Sequence, residues 1–193
     1  RVDMLCRDGN GNFRQINNDN FTGGKLAGEL LIKNGCEVFI HINNGYHEDW
    51  PSFKRIVGFE FTVKGYSYEI CIDENLTDPY SESAAKAMHR LTTKIIKRYN
   101  NKKIGFFCSN DDIANLLLRE CIQQKLRIPE DVEIIGYDNS PVSNYAAYPI
   151  TSIDQNISLM AKIAIESLDN YIPHESIVPA TLVEKCTTKK TTD

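Results

Sequence analysis

Four apolar, β-branched runs in this sequence break abruptly into polar turns. "FIHINNGYHEDW" (39–50) delivers Asn44, His47, Glu48, Asp49 and Trp50. "YEICIDEN" (68–75) delivers Asp73, Glu74 and Asn75, and "GFFCSNDD" (105–112) delivers Asn110, Asp111 and Asp112. "IIGYDNS" (134–140) ends on the single carboxylate of Asp138. Carboxylates and amides accept and donate hydrogen bonds to hydroxyls, and an aromatic ring covers the apolar face of a sugar. Residues of these types at strand ends point to a small polyhydroxylated ligand, because ligands of parallel α/β sheets sit beyond the carboxyl ends of strands.

Each residue also admits a plain structural role. Asp111 or Asp112 can serve a helix start, where acids complement the macrodipole. Asp138 can shape its own turn. Trp50 can cover the edge of the core. Arg55, one turn into a helix, can be a solvated arginine. His41 lies within a strand and reads as a satisfied core histidine; His47 is a loop residue, and His89 and His174 read as surface residues.

The elements that would position these residues alternate. Helical periodicity covers "NFTGGKLAGELLIKNG", with Leu26, Ala27, Leu30 and Leu31 on one face and Gly35 as the stop. A strand follows at 36–43, then a helix at about 52–64 with Phe53, Ile56 and Val57 inward. A strand at 66–73 leads through the turn-rich "ENLTDPY" to a helix at about 81–99. Its buried face is expected at Ala84, Ala85, Met88, Leu91, Ile95 and Ile96. Then come strand "KKIGFFCSN", helix "DDIANLLLRECIQQK", strand "VEIIGYD", the short extended "TSID", helix "QNISLMAKIAIESLDNYI" and closing strands in "SIVPATLVEKCTT". The opening "RVDMLCRDG" reads as a strand. Strand–helix alternation of this kind defines an α/β fold with a parallel sheet flanked by helices.

Composition narrows the function classes. The chain has 193 residues, 41% hydrophobic and 25% charged, with a net charge of -4. A basic face for DNA phosphates or a membrane surface is not expected from that balance. The six cysteines include no C-x-x-C pair and lie mostly in apolar runs, as buried reduced thiols of a cytosolic protein do. No metal-ligand cluster, G-x-G-x-x-G, P-loop or G-x-S-x-G elbow occurs, so no cofactor and no enzyme are expected. Asp111 and Asp138 as an acid and base pair remain the enzymatic alternative.

Several blocks together resemble the LacI/GalR-type transcriptional regulators. "RIPEDVEIIGYDNSPVSNYAAYPITSIDQNISLMAKIA" is similar to the family's P-x-D-V, G-[FY]-D-[ND] and P-x-[LI]-T-[ST]-[IV] series. "FCSNDDIA" resembles N-D-x-[MI]-A, and "SFKRIVGF" resembles R-x-x-G-F. "NDNFTGGKLAGELLIKNG" resembles a helix of the core, and "VPATLVEKCTT" the closing P-x-x-L-V-x-R-x-[ST]-T. The blocks run in family order over nearly the whole chain, which is far more specific than any one of them. Departures are Lys185, where arginine is usual, and the missing glycine in "QQKLRIP".

The resemblance implies a periplasmic-binding-protein-like type I core, truncated at the N-terminus and lacking the helix-turn-helix head. Its C-terminal subdomain would be complete and its N-terminal subdomain partial. The implied division is 1–34 as a remnant of the N-terminal subdomain and 35–153 as the C-terminal, effector-binding subdomain. Residues 154–176 would be the crossover helix of the N-terminal subdomain, and 177–193 the closing strands and tail. The helices at about 20–33 and 155–171 would then carry apolar faces made for strands outside this chain.

By the same resemblance, Arg55, Asn110 and Asp138 form a trio that hydrogen-bonds a sugar or sugar-phosphate effector. Phe21, Asp49, Trp50, Pro51, Pro79 and Tyr80 would line the cleft around it. The implied partners are this effector and operator DNA through the missing head, in a cytoplasmic homodimer with no membrane role. The sugar-binding protein of an importer has the same fold and is the alternative.

Overall fold

A computed structural model describes residues 4–7, 10–45, 48, 50–167 and 175–190. The elements run β1 (Met4–Arg7), β2 (Phe13–Asn18), α1 (Asn20–Lys33), β3 (Val38–Asn43), α2 (Pro51–Val63), β4 (Ser67–Ile72), α3 (Glu82–Arg98) and β5 (Ile104–Cys108). They continue with α4 (Asp111–Gln123), β6 (Val132–Asp138), α5 (Pro141–Tyr145), β7 (Thr151–Asp154), α6 (Ile157–Glu166), β8 (Glu175–Val178) and β9 (Thr181–Val183).

The strands form two sheets. The larger has the order β4-β3-β5-β6-β7-β9. Its first five strands are mutually parallel, and β9 runs antiparallel to β7. β3 and β5 are buried along their whole length, which explains their mostly apolar composition. The smaller sheet has the order β1-β2-β8, with β1 antiparallel and β8 parallel to β2. The α/β class expected from the alternation is the one observed.

Helices cover both faces of the large sheet. On one, Ala27 and Leu31 of α1 and Phe59 and Val63 of α2 pack on Phe39, Phe107, Ile135 and Tyr137. On the other, Met88 and Ile95 of α3 and Ile113, Leu117 and Cys121 of α4 pack on Ile40, Phe106 and Ile134. Local signals set the helix ends. Asp19 caps α1 through Thr22 N–H, Ser81 caps α3 through Ala84 N–H, and Gly35 takes φ 77 just beyond α1.

α1 and α2 approach through glycine. A Cβ on Gly24 would lie 2.1 Å from the Arg55 carbonyl oxygen, and one on Gly58 would lie 2.0 Å from that of Phe21. No side chain fits between these backbones. The resulting contact fixes where α2 carries Arg55.

The structure corrects several expectations. β2 was not foreseen: "FRQINN" lacks an apolar alternation, and only Ile16 and Asn18 are buried in it. A 3-10 turn (Glu74–Thr77) and α5 form within segments read as loop. On α2, Ile56 is buried as expected, but Val57 is 37% exposed and Phe59 and Val63 complete the buried face. On α3, Ala87 is buried and Ala85 exposed. The apolar face of α1 is covered, packed on α2 and the large sheet. β8 pairs with β2, while β9 joins the large sheet. α6 does carry an exposed apolar face: Met160 packs on Ile16 and Val178, while Ile157, Leu159 and Ile165 face out. The end of that expected helix and His174 lie outside the described residues.

Candidate functional site

The carboxyl ends of β3, β5 and β6 meet the start of α4 and the first turns of α2, and Arg55 lies at their centre. Arg55 is only 8% exposed. Its Nε donates to Asn20 Oδ1 at 2.7 Å, and Nη1 donates to the Ser109 carbonyl at 2.5 Å. Its guanidinium stacks on Tyr137, with Cζ 3.6 Å from the ring centroid. Nη1 also lies 3.8 Å from Asp138 Oδ1. Arg55 is therefore no solvated arginine. It bridges α1, β5 and β6.

Asp138 follows directly from the buried Tyr137 and is itself 31% exposed. Gln155 donates from Nε2 to its Oδ1. Asp138 has φ 103 and Asn139 φ 49, a left-handed pair that non-glycine residues adopt only when their surroundings force it. Asn139 is held from three sides. Its N–H donates to Ser152 Oγ at 3.0 Å, its Nδ2 donates to Asp154 Oδ2 at 3.0 Å, and its Oδ1 accepts from Lys185 Nζ at 2.8 Å.

Asn110 is the cap of α4, accepting Ile113 N–H at 2.9 Å. Its side-chain oxygen is committed to the helix, which leaves its amide NH2 as the donating end. The acids that follow divide. Asp112 accepts from Tyr80 Oη. Asp111 is 1% exposed and accepts from Ser140 N–H and Ser152 Oγ, each at 2.7 Å. Burial pushes the Asp111 carboxyl up to about 6, the charge of Asp138 adding to the effect and the two serine bonds opposing it.

The structure thus brings Arg55 and Asp138 together, with Asn110 one residue beyond the carbonyl that Arg55 grips. Pro79 and Tyr80 line a groove of about 310 Å3 between α3 and α4. Trp50 precedes α2 and packs on Gly45, and Pro51 opens that helix. Phe21 faces a cavity of about 390 Å3 between β2–β8 and the α1–α2 pair, alongside Phe53, Val57 and Ile177. Asp49 and His47 lie outside the described residues.

Other residues of the site were not foreseen. Tyr137 Oη donates to Asn18 Oδ1 at 2.5 Å, and Asn18 Nδ2 donates to the carbonyls of Gln155 and Val178, so the small sheet is tied to the floor of the site. Asn43 Nδ2 and Ser109 Oγ are buried with no hydrogen-bond partner. His41 corrects an expectation. It is a core residue, but neither ring nitrogen makes a well-formed hydrogen bond, and the Phe107 backbone interacts with the ring only weakly. Its ring lies 4.8 Å from Phe107 and 5.9 Å from Phe59 between centroids, and burial, with the positive charge of Arg55, lowers its pKa to about 3.

Among the described residues no group of three His, Cys, Asp or Glu could hold a metal ion, and no helix is long and apolar enough to cross a membrane. All six cysteines are free thiols, of which Cys36, Cys108 and Cys121 are buried.

This architecture is that of the periplasmic binding protein-like domain, whose family matches residues 29–192. The chain belongs to that family, and the resemblance to LacI/GalR regulators is borne out by its relatives. It is 32% identical over 155 residues to the HTH-type transcriptional repressor PurR of Aliivibrio fischeri, covering 76% of this chain and 42% of that protein. It is 30% identical over 165 residues to the sucrose operon repressor of Streptococcus mutans, covering 85% and 48%. The chain thus spans about half the length of these relatives. Among solved structures, it is similar to a LacI-family regulator from Enterococcus faecalis with bound ribose. That match has a TM-score of 0.71 and 25% identity, over 91% of this chain and 63% of the other. The maltose operon repressor of Staphylococcus aureus shares the fold, with a TM-score of 0.76 and 19% identity over 91% and 62%.

Proposed function

We propose that the chain is the effector-sensing core of a LacI/GalR-type transcriptional regulator, and that it binds a sugar or sugar phosphate at Arg55, Asn110 and Asp138. The observation that carries this reading is the Arg55–Asp138 pair at the carboxyl edge of the sheet. A guanidinium fork and a carboxylate each address two neighbouring hydroxyls, and here both are held by bonds to the scaffold. Similarity to repressors, one related structure holding ribose, supports the same ligand class. The importer reading loses ground for the same reason.

In this proposal the large sheet with α1–α5 and β9 is one subdomain. β1, β2, β8 and α6 are part of the other, and the effector biases their relative tilt. DNA reading, homodimerisation, a cytoplasmic setting and the lack of catalytic turnover belong to the same proposal. Calorimetric titration with D-ribose, D-ribose 5-phosphate and cellobiose tests it, with Asp138→Ala as the control. Loss of one charged hydrogen-bonding group lowers affinity at least about tenfold. Equal affinity in the variant overturns the site.

A further inference from the structure

We propose that Asp111 is the positioning residue of this site: its buried carboxylate holds the Asp138–Ser140 turn in the shape that presents Asp138, and protonation of Asp111 weakens that hold. The claim about presentation rests on Asp138 being a ligand residue; the claim about the turn does not.

The geometry points Asp111 at the turn rather than at its own helix. Asn110 already caps α4, so Asp111 is not needed as the cap. Both Asp111 oxygens face β6 and β7. One takes Ser140 N–H directly, and the other takes the Ser152 hydroxyl, whose oxygen in turn takes Asn139 N–H. Two successive amides of the turn therefore end on one carboxylate. The turn needs such a hold, because Asp138 and Asn139 both carry positive φ without being glycine. β6 makes room for the arrangement. A Cβ on Gly136 would lie 2.2 Å from Asp111 Oδ1, so the carboxylate occupies the space that a side chain there would fill.

A proton on Asp111 turns one of its oxygens from acceptor to donor: on Oδ2 it displaces Ser140 N–H, and on Oδ1 it makes the Ser152 hydroxyl reverse, so the two-acceptor hold on the turn is weakened. The ionisable groups that interact with Asp111 are Asp138 on β6, Lys185 beyond β9 and the buried thiol of Cys108 on β5, and Asp154 on β7 acts on the same Lys185. Burial is the largest influence on Asp111, and it sets the transition near the lower edge of the physiological range.

The test follows the Asn139 and Ser140 amide resonances by 1H–15N NMR between about pH 4.5 and 8, in the wild type, Asp111→Asn and Ser152→Ala. A parallel arm measures D-ribose affinity near pH 7.5 and pH 5. The Ser140 amide should shift with a midpoint near 6 in the wild type and stay flat in Asp111→Asn. Ser152→Ala, the milder variant, should displace Asn139 more than Ser140 and keep the titration. D-ribose affinity should fall about tenfold in Asp111→Asn and on acidification of the wild type. A Ser140 amide that ignores pH, or that keeps its position in Asp111→Asn, overturns the proposal. A Ser140 amide that titrates in a chain indifferent to D-ribose supports the hold on the turn and counts against the sugar reading alone.

Discussion

The guanidinium of Arg55 lies over Tyr137, Cζ 3.6 Å from the ring centroid, while two of its nitrogens serve Asn20 and Ser109. One side chain thus joins a helix cross-over, a strand end and an aromatic floor. Only a planar, forked cation does all three. Arg55→Lys keeps the charge and loses the stacking and one direction of donation. It should cost about 1–3 kcal/mol of stability and at least tenfold in D-ribose affinity. A urea midpoint equal to the wild type would show that the stacking contributes nothing.

The sequence made part of this site visible and hid the rest for identifiable reasons. Asp138 and Asn110 could be seen because an apolar run that stops on a polar residue marks a strand end. Arg55 could be singled out only through the family resemblance, since one arginine in a helix carries no local sign of burial. Asn18 and Tyr137 are 119 residues apart in sequence, and no periodicity joins them. β2 escaped notice because Phe13 is 53% exposed and the strand buries only two side chains. Asp111 looked like a helix-start acid, as acids there often are. Its true partners come from β6 and β7.

The glycines of α1 and α2 were equally silent, although they decide where Arg55 stands. Gly58→Ala sets a Cβ 2.0 Å from a backbone oxygen that cannot swing aside. About 3 kcal/mol of destabilisation is expected, with weaker effector binding as α2 shifts. Gly65→Ala is the matched control: a Cβ there meets nothing within 4 Å, so its effect should stay within about 0.5 kcal/mol. Chemical denaturation of both variants separates close approach from glycine content.

His41 should make the protein acid-sensitive. Its folded pKa of about 3 lies below its ordinary 6.5, so the folded state resists the proton that the unfolded chain accepts. The contribution is fully present above pH 6.5 and is lost as pH falls toward 3, at about 1.4 kcal/mol per pH unit. His41→Leu removes the titration and two nitrogens that lack well-formed hydrogen bonds. It should match or exceed the wild type near neutrality and exceed it by a further 2 kcal/mol, roughly, near pH 5. Parallel melts that stay equally spaced across this range would contradict it.

Asp111 should act with the opposite sign. Its folded pKa of about 6 lies above the ordinary 3.8, so the folded state holds the proton more tightly than the unfolded chain does. That stabilisation is complete below pH 3.8 and lost as pH rises through 6, about 3 kcal/mol in all. Near neutrality the wild type therefore carries a buried charge at the expense of its own stability. Asp111→Asn has no such titration, so its stability relative to the wild type should rise by about 3 kcal/mol between about pH 4 and 7. Denaturation midpoints across that interval measure the difference. A variant that gains stability at neutral pH while releasing the Ser140 amide would mark Asp111 as kept for the shape of the site. A constant difference would mean that the carboxylate ionises as freely as in the unfolded chain.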